Sequence, residues 1–81
     1  MQAGGMTEAT PEGRGAPIVV RGVIPGDPPC RVVMINGDTV GFAHSLFDVI
    51  QYAREAGIKD LDLDDPGMVR WVGGDQWKWT P

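Results

Sequence analysis

The sequence predicts a single small α+β domain, in which one helix packs on one face of a single sheet. Three observations predict this class: two β-branched runs, an amphipathic helical stretch after them, and alternating or aromatic runs in the last third. The 81-residue length allows only one domain, and the apolar fraction of 42% is that of ordinary globular proteins. The predicted element order is β-β-α-β-β-β over residues 17–81.

Residues 1–16 are expected to form a disordered N-terminal tail. They contain no aromatic and no branched aliphatic side chain. Such a segment cannot bury enough apolar surface to offset the entropy lost on ordering. The folded domain is therefore expected to cover residues 17–81.

Two strands open the domain. Residues 18–24 form a β-branched run, and residues 31–35 form a second one. The proline- and glycine-rich stretch 25–29 between them predicts a loop, and residues 36–38 carry the turn chemistry that ends the second strand. We expect the two strands to pair as a hairpin.

The helix is predicted to begin at Ser45 and to end before Gly57. Ser45 and Asp48 fit a capping box, in which the hydroxyl caps the first turn and the carboxylate favours the positive helix end. Gly57 suits the position after a helix end. Apolar side chains recur at helical spacing on one face, at Leu46, Val49, Ile50, Ala53 and Ala56.

The last third predicts three more strands. Leucine and aspartate alternate over residues 60–64, which indicates a strand, and residues 65–67 turn the chain. Residues 68–72 and 76–80 then read as a hairpin closed around 73–75. We call this predicted unit, which contains all three tryptophans, the Trp hairpin.

The Trp hairpin supplies the candidate partner-binding residues Trp71, Trp77, Trp79 and Arg70. An even-numbered loop aligns Arg70 with Trp77 and Trp79 and allows a cation–π contact. A three-residue loop instead aligns Val69 and Trp71 with the two later tryptophans, which separates polar from apolar side chains better. The indoles then either fill the core under the helix, anchor a protein partner, or stack on a sugar or aromatic ligand.

Composition disfavours several function classes. Seven basic and eleven acidic residues give a net charge of -4, and the basic ones are scattered, which disfavours binding to nucleic acid and to anionic membrane surfaces.

No apolar run approaches the ~20 residues that span a bilayer, and the first 16 residues have no signal-peptide core. One cysteine cannot form an internal disulfide. We expect a cytoplasmic protein, and its composition fits a GC-rich bacterial genome.

Catalytic and metal motifs are weak. The acidic run at 60–65 fails as a calcium loop, because Asp65 stands where glycine is needed and Trp71 where glutamate is needed. His44 and Cys30 have no spacing that supports a nucleophile–base pair. No phosphate-binding glycine motif is present. We expect no enzyme activity, no metal and no cofactor.

Residues 31–65 resemble the soluble domain of the ExbD/TolR family of biopolymer-transport proteins. The resemblance lies in the run Val-Val-Met-Ile at 32–35, the turn Asn-Gly-Asp-Thr-Val at 36–40, and the helix that ends Ala-Arg-Glu-Ala-Gly-Ile before a strand. It implies a small dimerising α+β domain. The membrane helix with an essential aspartate, which precedes that domain in the family, is not seen in this sequence. The opening hairpin and helix also resemble β-grasp domains, although the Gly-Gly tail of ubiquitin-like carriers is not found.

These observations predict a non-catalytic protein-interaction module. One helix covers one face of the predicted sheet and leaves the other uncovered, so we expect that face to meet a second copy or another protein. The alternative is a small-ligand binder that uses the Trp hairpin as a stacking platform.

Overall fold

The computed structural model describes residues 16–81, and it confirms the α+β class with one helix on one face of one sheet. The tail prediction for residues 1–15 lies outside the described residues, while Ala16 is buried. The elements follow one another as β1 Ile18–Ile24, β2 Cys30–Ile35, β3 Asp38–Ala43, α1 Leu46–Glu55 and β4 Val69–Trp71. The observed order is thus β-β-β-α-β, so the strands are distributed along the chain differently from the prediction.

The sheet has the strand order β3-β2-β1-β4. β1 and β2 pair antiparallel, as predicted, and β2 pairs antiparallel with β3. β4 runs parallel to β1, with Ile18 opposite Val69 and Val20 opposite Trp71. A parallel pair needs a long crossover. Here α1 and the segment after it supply the crossover from β3 to β4.

The structure adds strand β3, which the sequence analysis did not predict. Asn36 and Gly37 both have positive φ, at 52° and 86°, between paired residues Ile35 and Asp38. That backbone conformation is the two-residue turn whose twist matches antiparallel strands, and Asn-Gly favours it strongly. The residues read as the end of β2 therefore reverse the chain directly into β3.

Helix α1 confirms the predicted span, but its N-terminus is capped differently. The Ser45 side chain makes no capping hydrogen bond. Instead the Asp48 carboxylate accepts a hydrogen bond from the His44 backbone N–H at 2.8 Å. Asp48 thus contributes to the N-terminal cap, although its hydrogen bond comes from the residue before Ser45. The predicted cap by the Ser45 hydroxyl is wrong.

Two predicted strands are wrong. Residues 60–64 form a bend, irregular chain and a turn, and Asp60 has a positive φ of 54°, which breaks a regular strand. This also removes the strand that closes the stretch resembling the ExbD/TolR domain. Residues 76–80 form a turn and irregular chain, so the Trp hairpin does not exist. The strand within 68–72 is real, but it finds its partner in β1 rather than in the residues that follow it.

The core lies between the sheet and the layer formed by α1 and the chain after it. Its fully or nearly fully buried members are Ile18, Val20, Val33, Ile35, Ala43, Val49, Ala53 and Val69. Partly buried side chains from 58–68 and 71–79 pack around them. We call the side of the sheet that faces this layer the core face, and the opposite side the open face.

Candidate functional site

Arg31 is the buried charged residue of the described chain. Side chains alternate along β2, so Arg31 shares the core face with Val33 and Ile35, and its exposed fraction is 0%. The guanidinium lies beyond the apolar core, where residues 72–79 pass over the core face of the sheet. Burial of an arginine requires that its five N–H donors find partners.

The guanidinium is saturated by main-chain carbonyl oxygens. Nε donates to the carbonyl of Arg21 at 2.7 Å. Nη1 donates to two carbonyls at 2.7 Å, and Nη2 donates to two more at 3.1 and 2.9 Å. These four acceptors belong to Asp75, Lys78, Val72 and Gly74 in turn. The cation therefore holds the chain that follows β4, in which residues 73–79 belong to no strand or helix.

Two indoles complete the cage around Arg31. The guanidinium carbon lies 5.4 Å from the Trp71 ring centroid and 5.3 Å from that of Trp79, both within cation–π range. Each indole N–H is satisfied as well, Trp71 by the Leu63 carbonyl at 3.0 Å and Trp79 by the Gln76 carbonyl at 2.7 Å. Trp71 and Trp79 are thus half-buried parts of one arginine cage.

The environment of Arg31 lowers its pKa, because burial removes water from the charged form, while the nearby Asp75 carboxylate acts in the opposite direction. An arginine pKa starts so high that the group stays protonated at neutral pH. The cage is therefore a permanent cation held by dipoles and ring faces. It is a structural clamp, and the guanidinium has no donor left for a ligand.

The structure separates the four predicted partner-binding residues. Trp71 and Trp79 lie in the arginine cage, whereas the Trp77 side chain is 73% exposed. Arg70 is exposed on β4. A cation–π cluster exists, as one of the two alignments suggested, but its cation is Arg31 and not Arg70. That these four residues contact a partner stays a prediction.

The open face of the sheet carries two neighbouring apolar cross-strand pairs, which together we call the apolar row. Val19 is paired with Met34 across β1 and β2, and Val32 is paired with Phe42 across β2 and β3. The three aliphatic side chains are half-buried by their neighbours alone, and Phe42 is 57% exposed. Among residues 16–81, α1 and the segment after it cover the core face, and no described element covers the open face. An apolar row on an uncovered sheet face is typical of an interaction surface.

The one charged residue in the cross-strand row of Val19 and Met34 is basic. Arg70 is paired with Val19, and Thr39 is paired with Met34, at the two ends of the same cross-strand row. None of the residues paired across this row is acidic. The aspartates at 60–65 lie instead in the turns after α1. The open face is thus apolar with a basic margin on a chain whose net charge is -4.

The sites considered for catalysis show little chemistry. His44 is exposed, and its Nδ1 lies 3.4 Å from the Pro29 carbonyl oxygen. Cys30, which follows Pro29 in the sequence, is half-buried and has a free thiol. The contact with Pro29 joins the ring to the main chain and orients no nucleophile. Within residues 16–81 no group of three histidine, cysteine or acidic side chains is placed to hold a metal ion. The helix described here is too short and too polar to cross a membrane.

Comparison of the chain with protein-family models, with curated proteins and with solved structures finds no match. The resemblance of residues 31–65 to the ExbD/TolR domain therefore stays a prediction.

The arginine cage was missed at the sequence level, although a signal for it exists. Inward positions of β2 alternate as Arg31, Val33 and Ile35, so a regular strand places one charged residue among apolar ones. A buried arginine requires partners, and aromatic residues elsewhere in the chain are candidates. The alternation of side chains along β2 alone thus predicts a charged residue, Arg31, at a position that faces the core.

Proposed function

We propose that the protein is a small non-catalytic interaction module that docks on a protein partner, or on a second copy, through the open face of its sheet. The single observation that carries this proposal is the uncovered apolar row, in which Phe42 is 57% exposed beside Val32. Burying such a row stabilises a complex by roughly 25 cal/mol per Å² of apolar surface removed from water. The free thiol of Cys30 fits a reducing, cytoplasmic setting.

The stacking-platform alternative receives less support. Trp71 and Trp79 already stack on Arg31, so only Trp77 presents a largely exposed indole among the three. A ligand that stacked on the other two would have to displace the buried cation.

Site-specific photo-crosslinking tests the proposal. Phe42 is replaced with benzoylphenylalanine, an aromatic residue of similar shape, and the full-length protein is irradiated in cells of its source organism. Phe47 is the matched control, because it is also an exposed phenylalanine, 80% exposed on α1 at the far side of the core layer. We expect a discrete crosslinked product from position 42 and none of the same mass from position 47.

Mass spectrometry of the product separates the two kinds of partner. A mass of twice 8.7 kDa identifies a second copy, and any other discrete mass identifies a different protein. A Phe42→Ser substitution that abolishes the same association, while Phe47→Ser preserves it, supports docking through the open face. Equal crosslinking from positions 42 and 47, or none from either, contradicts the proposal.

A further inference from the structure

β4 is an edge strand with one side unpaired within residues 16–81. Its bonds to β1 include Ile18 N–H to the Met68 carbonyl at 3.2 Å and Val72 N–H to the Val20 carbonyl at 2.8 Å. Along a strand, successive residues direct their main-chain groups to opposite sides. Val69 and Trp71 therefore direct theirs away from β1. The Val69 N–H is used in the turn before the strand, because it donates to the Asp65 carbonyl at 3.0 Å.

The outward groups that remain form a short template for strand pairing. They are the Val69 carbonyl, the Trp71 N–H and the Trp71 carbonyl. Together they present an acceptor, a donor and a second acceptor over the length of β4, which is what an added strand requires.

An apolar pocket adjoins this edge. Its volume is about 480 Å³, and its walls include Leu63, Pro66 and Trp71. Asp64 and Arg70 are also among the residues that line it. Both side chains are exposed, and the Asp64 carboxylate also accepts a hydrogen bond from the Gln76 amide. Arg70 is paired with Val19 and so lies on the open face, whereas Asp64 belongs to the segment that packs on the core face, so the charge on the open-face side of this edge is positive.

We propose that the β4 edge binds an extended segment of a partner protein, which pairs with Val69 and Trp71 and inserts an apolar side chain into the pocket. Successive side chains of an extended chain point to opposite faces. The residue next to the inserted one then lies on the same side as Arg70, so an acidic residue there makes an ion pair. The segment is thus apolar–acidic in alternation.

Two features favour a peptide over a small molecule as the occupant. The edge offers main-chain donors and acceptors in strand register, and the pocket lies beside that register. A small apolar molecule would fill the pocket and leave the edge groups in water, whereas an extended chain uses both. The site rests on the proposed function only in that its occupant is a protein, and it uses the β4 edge and Arg70 rather than Phe42 and the apolar side chains beside it.

Amide hydrogen exchange of the full-length protein tests the site. The probes are the blocked peptide TTELETT, its basic counterpart TTKLKTT, and TTESETT, which lacks the apolar anchor. In the free protein the Trp71 amide is expected to exchange fast for a strand residue. At a TTELETT concentration ten times its Kd, exchange at Trp71 should slow about tenfold, because mass action populates the paired state. TTESETT should give no protection.

A charge exchange tests the role of Arg70. Arg70→Glu should weaken TTELETT binding about tenfold and make TTKLKTT the tighter ligand, as expected when one ion pair is lost and a like-charge contact is made. Lys59→Glu is the matched control, because it changes the net charge equally at an exposed residue outside the pocket, and it should preserve the order of affinities.

The outcomes separate this site from the open face. The proposal is supported if TTELETT slows amide hydrogen exchange at Trp71 and if Arg70→Glu transfers this protection to TTKLKTT. Absence of binding by all three peptides overturns it and leaves the crosslinking result at Phe42 unaffected. Peptide-induced changes at Val32 and Met34 without protection at Trp71 also overturn it, since they place the peptide on the open face. Protection at Trp71 that depends on protein concentration without peptide identifies a second copy as the occupant and likewise overturns it.

Discussion

Replacing Arg31 with methionine removes the guanidinium while keeping an unbranched side chain, so the five carbonyls that it binds lose a charged donor. The two cation–π contacts contribute about 1 kcal/mol each. At least one carbonyl left buried without a partner adds about 1 kcal/mol more. The free energy of unfolding should therefore fall by about 3 kcal/mol, a large share of the roughly 3–10 kcal/mol expected for a domain of this size.

Urea unfolding measures the loss, followed by far-UV circular dichroism for the sheet and helix and by tryptophan emission for the cage. For a small domain, about 3 kcal/mol corresponds to a Tm lower by about 12–24 °C. Arg31→Lys keeps the charge but offers three donors in place of five, so it should lose about 1–2 kcal/mol.

Arg54→Met is the control for Arg31, since Arg54 is an exposed arginine in the last turn of α1. Its loss should stay within about 0.5 kcal/mol, as for most surface substitutions. The structural role of the arginine cage is refuted if Arg31→Met and Arg54→Met unfold at the same urea concentration. It is equally refuted if Arg31→Lys matches the unsubstituted protein, because the fork geometry would then contribute nothing.

Three further predictions concern single contacts and are checked by the same urea titration. Trp79→Ala should lower the free energy of unfolding by about 3 kcal/mol, whereas Trp77→Ala, at an indole 73% exposed, should change it by less than about 0.5 kcal/mol; equal losses would contradict the cage. Asp48→Ala should lose about 1 kcal/mol with its bond to the N–H before α1, and Ser45→Ala should lose less than half of that; the reverse order would restore the serine cap. Gly41→Ala should lose about 1–3 kcal/mol, because a Cβ there overlaps the tyrosine hydroxyl that bonds β3 to α1; an unchanged midpoint would contradict that close approach.

The parts of the fold that follow from local patterns were predictable. β1 and β2 are β-branched runs bounded by breakers, and α1 has apolar residues at helical spacing and ends at Gly57. β3 could also have been predicted, because Asn36-Gly37 between two strands is a strong hairpin signal. It was not predicted because the run from Asp38 to Ala43 is short and is interrupted by Gly41, a residue that weakens a strand interior.

The remainder depends on contacts between residues distant in sequence. The alternating leucines and aspartates at 60–64 resemble a strand, yet they have no neighbouring strand to pair with. The strand at 69–71 pairs with β1, about fifty residues earlier, so no local pattern could name its partner. The candidate site divides in the same way. The uncovered sheet face follows from having a single helix, whereas the arginine cage depends on where residues 72–79 cross β2.

The parallel pairing of β4 with β1 has a consequence for the order of folding. The bonds from Arg31 to residues 72–78 span 41 to 47 positions of sequence, so closing them costs more chain entropy than forming the β1-β2-β3 meander or α1. The meander and the helix are therefore expected to form early, while β1 still has one unpaired side. At that stage a seven-residue β-branched strand is open to pairing with other chains, which is a route to aggregation. The late arrival of β4 and the closing of the arginine cage end that exposure, and they replace a long open edge with one of three residues.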